Sequence, residues 1–287
     1  SKKLYKTIRL TSPNKLTGYE IINWNRILTY QYWSYKLTLQ DNNGRIMNSI
    51  IVPKKDDSYY SFPNSHAPVI YKDNSIYLAG GMISKNKPDK ASPVVAQIDS
   101  SFSKINYKYH FPDIYTKLDF GGEHYRMDIT YTYNPHEEIF IFNFPASHEL
   151  FITKDFINES KYCAGSRFVK SIPEYPYKGK EDTYRYCAEN GFYYCVLYDM
   201  YNDCYYRICL LPTEWNENKP YDRNLSVIIL DNDFNVVGEE KLKSNKDFYL
   251  GGISSICVSP DGLLFRQQNI KGDESSINFS SYKLIKK

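Results

Sequence analysis

A strand, a tight turn and a second strand recur along this chain at a nearly constant interval, and few folds accommodate such a period. The turns fall in "IINWNRILTY" near Trp24, "VIYKDNSIYL" near Asn74, "TYNPHEEIFIF" near Pro135, "LYDMYNDCYYRI" near Asn202 and "CVSPDGLLF" near Asp261, spaced by roughly 50, 61, 67 and 59 residues. Several of these hairpins are followed by another strand, a turn carrying Asp or Asn, and an outer strand, as in "KLTLQDNNGRIMNSIIV", "VVAQIDSSFSKINYKYHF" and "LSVIILDNDFNVVGEEKL". Asp and Asn bond their own backbone and tolerate left-handed geometry, so they suit such turns. Each period therefore holds about four strands. Four antiparallel strands repeated radially make a β-propeller, whose blades bury their faces against one another.

We expect an all-β chain forming one propeller domain over residues 1–287. A β-sandwich ranks second, because it explains the strands but not the period. A doubly wound α/β fold needs long helical stretches between strands, and none is visible; short helices are expected only near "EDTYRYCAEN" or "TKDFINES". Five inner hairpins are visible. The N-terminal "LYKTIRL" either completes the last blade beside "INFSSYKLI", giving five blades, or is the outer strand of a first blade begun before residue 1, giving six.

Composition narrows the function classes. Hydrophobic residues make up 42% and charged residues 24%, as in a globular chain. The 36 basic and 33 acidic residues are interspersed. With no long basic run to neutralise phosphates, nucleic acid is a poor partner. No segment has 18 consecutive apolar residues, which excludes a transmembrane helix in the residues shown. A leader or a lipid-attachment cysteine ahead of residue 1 stays open. The 29 tyrosines are individually blade packing, but their excess as a set hints at a wet, aromatic binding surface.

The segment "YYRI" at 205–208, "SVIILDNDFNVVGEEKL" at 226–242 and "SPDGLLF" at 259–265 resemble an uncharacterised Bacteroidetes family of secreted, lipid-anchored β-propeller proteins, classed as a domain of unknown function. The resemblance implies six blades, so six is favoured over five, and a periplasmic or cell-surface location as an outer-membrane lipoprotein. It carries no active-site motif.

Six cysteines, 163, 187, 195, 204, 209 and 257, contain no CxxC pair, so structural zinc spacing is missing and no metal or cofactor is expected. Buried free thiols are the leading reading; one disulfide, Cys163 to Cys187, is the alternative. In the cysteine-rich hairpin we read strands Phe192 to Tyr198 and Cys204 to Leu211. Pairing Tyr198 with Cys204 sets Cys195 opposite Arg207 and Cys209 opposite Tyr193, so no two cysteines face each other. A strand seldom buries an arginine alone, so Arg207 should meet Asp199, Asp203 or Glu189.

Segments joining one blade's outer strand to the next blade's inner strand form the rim of a propeller's funnel. Three of them carry the candidate site: "SFPNSHAP" (61–68) with His66, "GGEHYRMD" (121–128) with His124 and Arg126, and "YPYKGKEDTYRYCAEN" (175–190) with Arg185. Tyr59 and Tyr60 join them as aromatic contacts, and Trp33 and Trp215 are expected partly exposed with these two. The leading reading is a noncatalytic extracytoplasmic propeller that binds a glycan, peptide or partner protein through this rim. The alternative is a hydrolase or lyase on the same scaffold, acting on a glycan or similar substrate. No catalytic residue is assigned.

Overall fold

A computed structural model describes residues 16–52, 59–81, 88, 92–121, 128–176, 183–216, 223–242, 256–267 and 278–285. They form five antiparallel sheets in chain order. The first holds β1 (Gly18–Asn23), β2 (Arg26–Gln31), β3 (Lys36–Gln40) and β4 (Ile46–Ile51). The second holds β5 (Tyr60–Ser61), β6 (Ile70–Lys72), β7 (Ser75–Gly81), β8 (Pro93–Asp99) and β9 (Ile105–His110). The third runs β10 (Thr130–Asn134), β11 (Ile139–Asn143), β12 (Glu149–Thr153) and β13 (Glu159–Cys163). The fourth runs β14 (Phe192–Asp199), β15 (Cys204–Leu210), β16 (Leu225–Leu230) and β17 (Val236–Leu242), and the fifth β18 (Ile256–Ser259), β19 (Gly262–Arg266) and β20 (Phe279–Tyr282).

This is a five-bladed β-propeller, and the expectation of six blades is corrected. Each inner hairpin nucleates one sheet, and no described strand is left over for a sixth. "LYKTIRL" lies outside the described residues. Burial grades outward across the blades as the fold requires. Every residue of β11 and β15 is buried, whereas every residue of the outer strand β13 is exposed. Apolar faces of adjacent blades interdigitate: Leu28, Tyr30 and Leu37 pack with Val69, Ile76 and Leu78, and Cys195, Tyr206 and Ile208 with Ile256 and Phe265.

The turn between the third and fourth strands of a blade repeats one device. Asp41 accepts from the backbone N–H groups of Asn43 and Arg45, Asp99 from those of Ser103 and Lys104, and Asp231 from those of Asp233 and Asn235. Three residues after each Asp the chain enters the left-handed region, at Gly44, Phe102 and Phe234. "TKDFINES", expected as a short helix, is the same turn in the third blade. Thr153 Oγ1 accepts from the N–H of Phe156, which is left-handed at φ 64°, and Asp155 accepts from the N–H groups of Ile157 and Asn158. The other expected helix forms as α2 (Thr183–Glu189); α1 (Asp113–Lys117) precedes the third blade.

In the cysteine-rich hairpin Tyr193 pairs with Cys209 as expected, but Tyr198 pairs with Tyr205 and Cys195 with Ile208. The one-residue difference is absorbed by a β-bulge at Tyr194. All six cysteines are free, including Cys163 and Cys187.

Arg207 meets none of the expected carboxylates. Asp199 accepts from Tyr201 N–H, Asn202 and the Tyr206 hydroxyl; Asp203 accepts from Tyr198; Glu189 pairs with Arg185. The fully buried Arg207 guanidinium instead donates to Asn143 Oδ1 and to the carbonyls of Ser147, His148, Glu149 and Ala164, and lies 3.6 Å from the Tyr193 ring centroid. Convergent carbonyl dipoles and a π face satisfy the cation without a counter-charge. Burial lowers its pKa to about 10, so the clamp between the third and fourth blades stays cationic at neutral pH.

Candidate functional site

The inner edge of the second blade is split. β5 pairs with Gly80 and Gly81 at one end of β7, and β6 pairs with Ser75 to Tyr77 at the other. Residues 62–69 leave the ladder between them. Gly80 permits this crossing, because a Cβ there would run into the Tyr60 carbonyl oxygen. The excursion is wedged between its neighbours: Pro63 packs against Gly18 of β1 so closely that a Cβ on Gly18 would lie 2.7 Å from Pro63 Cβ, and the N–H of Tyr131 in β10 donates to the His66 carbonyl. Asn64 Oδ1 fixes its tip by accepting from the N–H groups of His66 and Ala67.

This turn carries the His66 ring inward. The imidazole is 4% exposed and meets Tyr194 of the fourth blade edge-on, with ring centroids 5.0 Å apart. Tyr194 is the residue that bulges out of register, and a bulge re-aims a side chain in this way. A backbone hydrogen bond at Ile256 of the fifth blade favours the imidazolium, but burial outweighs it and pushes the pKa down to about 4. The ring is therefore neutral at physiological pH. Its buried Nε2 has no hydrogen-bond partner, an arrangement that costs about 1–3 kcal/mol.

Asp128, just ahead of β10, is electrostatically coupled to Tyr194. Its charge, when present, raises the pKa of Tyr194 and of Tyr32 in the first blade. The Tyr60 hydroxyl donates to Asp128 Oδ1. Burial pushes the Asp128 carboxyl up to about 8, so at neutral pH it holds its proton. Five blades thus contribute to one axial cluster: Tyr32, Tyr60 and His66, Asp128, Tyr194 and the Ile256 backbone. Near pH 7 it holds a neutral imidazole with a buried, unpartnered nitrogen, a protonated carboxyl and phenol groups. Two titratable groups displaced in opposite directions can accept and donate a proton to one substrate. Among the described residues, no three His, Cys, Asp or Glu side chains gather as a metal site.

The sequence candidates separate. His66 and Tyr60 join the axial cluster. Tyr59 and Tyr60, expected partly exposed, are both buried, and the Tyr59 hydroxyl donates to the Leu78 carbonyl as part of the blade core. Arg185 is exposed on α2 and pairs with Glu189 at 2.8 Å. His124 and Arg126 lie outside the described residues. Sequence reasoning passed over Asp128 and Tyr194. Asp128 closes the quoted "GGEHYRMD" directly before a strand, and the adjacent tyrosines of "FYYCVLYD" break the two-residue alternation where the bulge forms.

The fold is a β-propeller in which side chains of successive blades, Tyr32, Tyr60, His66, Asp128 and Tyr194, gather at the inner strands. A family model described as "Domain of unknown function (DUF4221)" matches residues 13–241, and the chain belongs to that family. The crystal structure of a DUF4221 member from Bacteroides vulgatus is similar at 23% identity and a TM-score of 0.71, covering 96% of this chain and 83% of that one. A Bacteroides fragilis protein thought to be exported shares the fold at 11% identity and a TM-score of 0.55, covering 88% of this chain and 66% of that one. A streptogramin B lyase is similar at 11% identity over 95% of this chain and 70% of that one, with a TM-score of 0.46 too low to carry a functional argument. No curated protein matches the chain significantly. Among the described residues, no helix is long and apolar enough to cross a membrane.

Proposed function

We propose that this chain is a single-domain propeller enzyme, a hydrolase or lyase, that takes a polar substrate at the axial cluster and exchanges a proton with it through His66 and Asp128. One observation carries the reading: a buried imidazole nitrogen without a partner packs on Tyr194, and a carboxyl that keeps its proton at neutral pH is electrostatically coupled to the same tyrosine. His66 is the base, Asp128 the acid, and Tyr60 orients the carboxyl. A binder that holds the ligand without turnover is the second reading, favoured by the depth of His66. The family resemblance supports a periplasmic or cell-surface location with a lipid anchor, which cell fractionation and radiolabelled palmitate incorporation test.

The catalytic reading is tested with p-nitrophenyl glycosides and p-nitrophenyl acetate, following nitrophenol release by wild type, His66→Gln and Asp128→Asn. Release that falls at least about 100-fold in both folded variants supports it, a typical scale for losing a general acid or base. Release indifferent to both substitutions overturns it. Protection of the fold by a glycoside without release selects the binder.

A further inference from the structure

The turn between β2 and β3 presents Trp33 to solvent at 75% exposure, the most exposed aromatic ring among the described residues. It is held in place rather than loose. The turn is a 3-10 helix, Tyr32–Ser34, closed by Tyr35 in the left-handed region at φ 50°, whose N–H donates to the Tyr32 carbonyl. Ser34 Oγ donates to Gln31 Oε1 at 3.1 Å, and the Tyr35 carbonyl accepts from Val52 N–H, tying the turn to the segment that leads to β5.

Tyr32 connects this platform to the axis. Its ring meets Trp33 edge-on at 5.1 Å, Phe62 at 4.5 Å and Tyr60 at 6.5 Å. Tyr60 donates to Asp128, and Phe62 begins the excursion that carries His66. A bare indole face therefore stands two ring contacts from the protonated carboxyl. A ligand spanning both places needs an apolar face for the indole and a hydroxyl donor for His66 Nε2, and it should carry no charge where it meets the neutral imidazole and the protonated carboxyl. A pyranose ring meets these demands: its C–H face stacks on the negative π face of an aromatic ring, and its edge donates hydrogen bonds.

We infer that the substrate of the axial site is a neutral oligosaccharide, and that Trp33 is a positioning residue that stacks one of its outer sugar rings. This rests on the function proposed above for His66 and Asp128. The test is calorimetric titration of hexasaccharides and disaccharides of glucose, xylose, mannose and N-acetylglucosamine into wild type, Trp33→Ala, Trp33→Phe and His66→Gln, with folding checked by circular dichroism. Trp33→Ala should weaken hexasaccharide binding about tenfold or more while changing disaccharide binding less than about twofold. Trp33→Phe should restore most of the loss, and His66→Gln should weaken both lengths.

Unchanged hexasaccharide binding by Trp33→Ala overturns the platform. If no sugar binds while nitrophenol release still requires His66, the oligosaccharide falls and the axial reading stands. If Trp33→Ala weakens binding and folded His66→Gln does not, the platform stands without the axial reading. Binding of a proline-rich peptide in place of every sugar assigns Trp33 to protein recognition and overturns the proposal.

Discussion

Replacing Asp128 by asparagine tests the electrostatic basis of the site without requiring its substrate. In the folded chain the carboxyl keeps its proton to about pH 8, against an ordinary value of 3.8. The folded state therefore binds more protons than the unfolded state across that interval. Linkage gives the sign: the contribution is full below pH 3.8 and is lost as pH rises towards 8. At 1.36 kcal/mol per pH unit, the part lost between pH 5 and pH 8 is about 3–4 kcal/mol. The substituted amide cannot ionise, and its oxygen can still accept from Tyr60, so the variant lacks this slope. Urea unfolding of both proteins at pH 5 and pH 8 reads the difference directly. The stability of Asp128→Asn relative to wild type should rise by about 3–4 kcal/mol between the two pH values, a relative midpoint shift on the order of 1 M. Parallel pH profiles would show that the carboxylate is already charged in the fold, and the acid role would fail with it.

His66 has the opposite sign: its folded pKa of about 4 lies below 6.5, so its contribution is present above pH 6.5 and is lost as pH falls through 4. Histidine-selective NMR titration should find one imidazole neutral down to about pH 5, and a His66 titration near 6.5 would refute the burial argument. Arg207→Ala should cost about 3–5 kcal/mol in chemical unfolding, since it strands several buried carbonyls and Asn143 together; a loss under about 1 kcal/mol would show that the clamp is dispensable. Gly80→Ala drives a methyl into the Tyr60 carbonyl and should destabilise by about 2 kcal/mol or more, with a fall in the activity that depends on His66. Maleimide should label Cys163 rapidly in the native protein and the four buried thiols only after unfolding; fast native labelling of Cys195 or Cys209 would contradict their packing.

The blades were legible because their signals are local. A strand, a tight turn and the next strand occupy about a dozen residues, and Asp41, Asp99 and Asp231 mark their turns by bonding their own backbone. "TKDFINES" uses the same device, but its first cap is Thr153, so the pattern is hidden when only Asp is sought. Blade number was legible from the hairpins and obscured by the resemblance.

The site was only half legible, because it arises where the sequence departs from the repeat. β5 and β6 occupy what would be one inner strand, and the extra residues between them stand outside the strand ladder of their sheet. Their polar groups are met partly within the turn and partly by another blade: Asn64 Oδ1 accepts from the N–H groups of His66 and Ala67, and Tyr131 N–H donates to the His66 carbonyl. His66 announces itself as a histidine in a connecting segment. Its neighbours do not, since Tyr194 reaches it only through a one-residue bulge, and Asp128 approaches across about sixty residues of sequence. What brings them together is the packing of inner strands around an axis, which no local pattern encodes. Arg207 misled for the same reason. A sequence offers carboxylates as partners for a buried cation, whereas the fold supplied four carbonyls, an amide oxygen and a ring face from the adjoining blade and its own. In a repeat protein the periodic residues specify the scaffold. The residues that break the period, here the 62–69 excursion and the Tyr194 bulge, are where chemistry should be sought, because backbone displaced from a ladder is retained only when other contacts hold it.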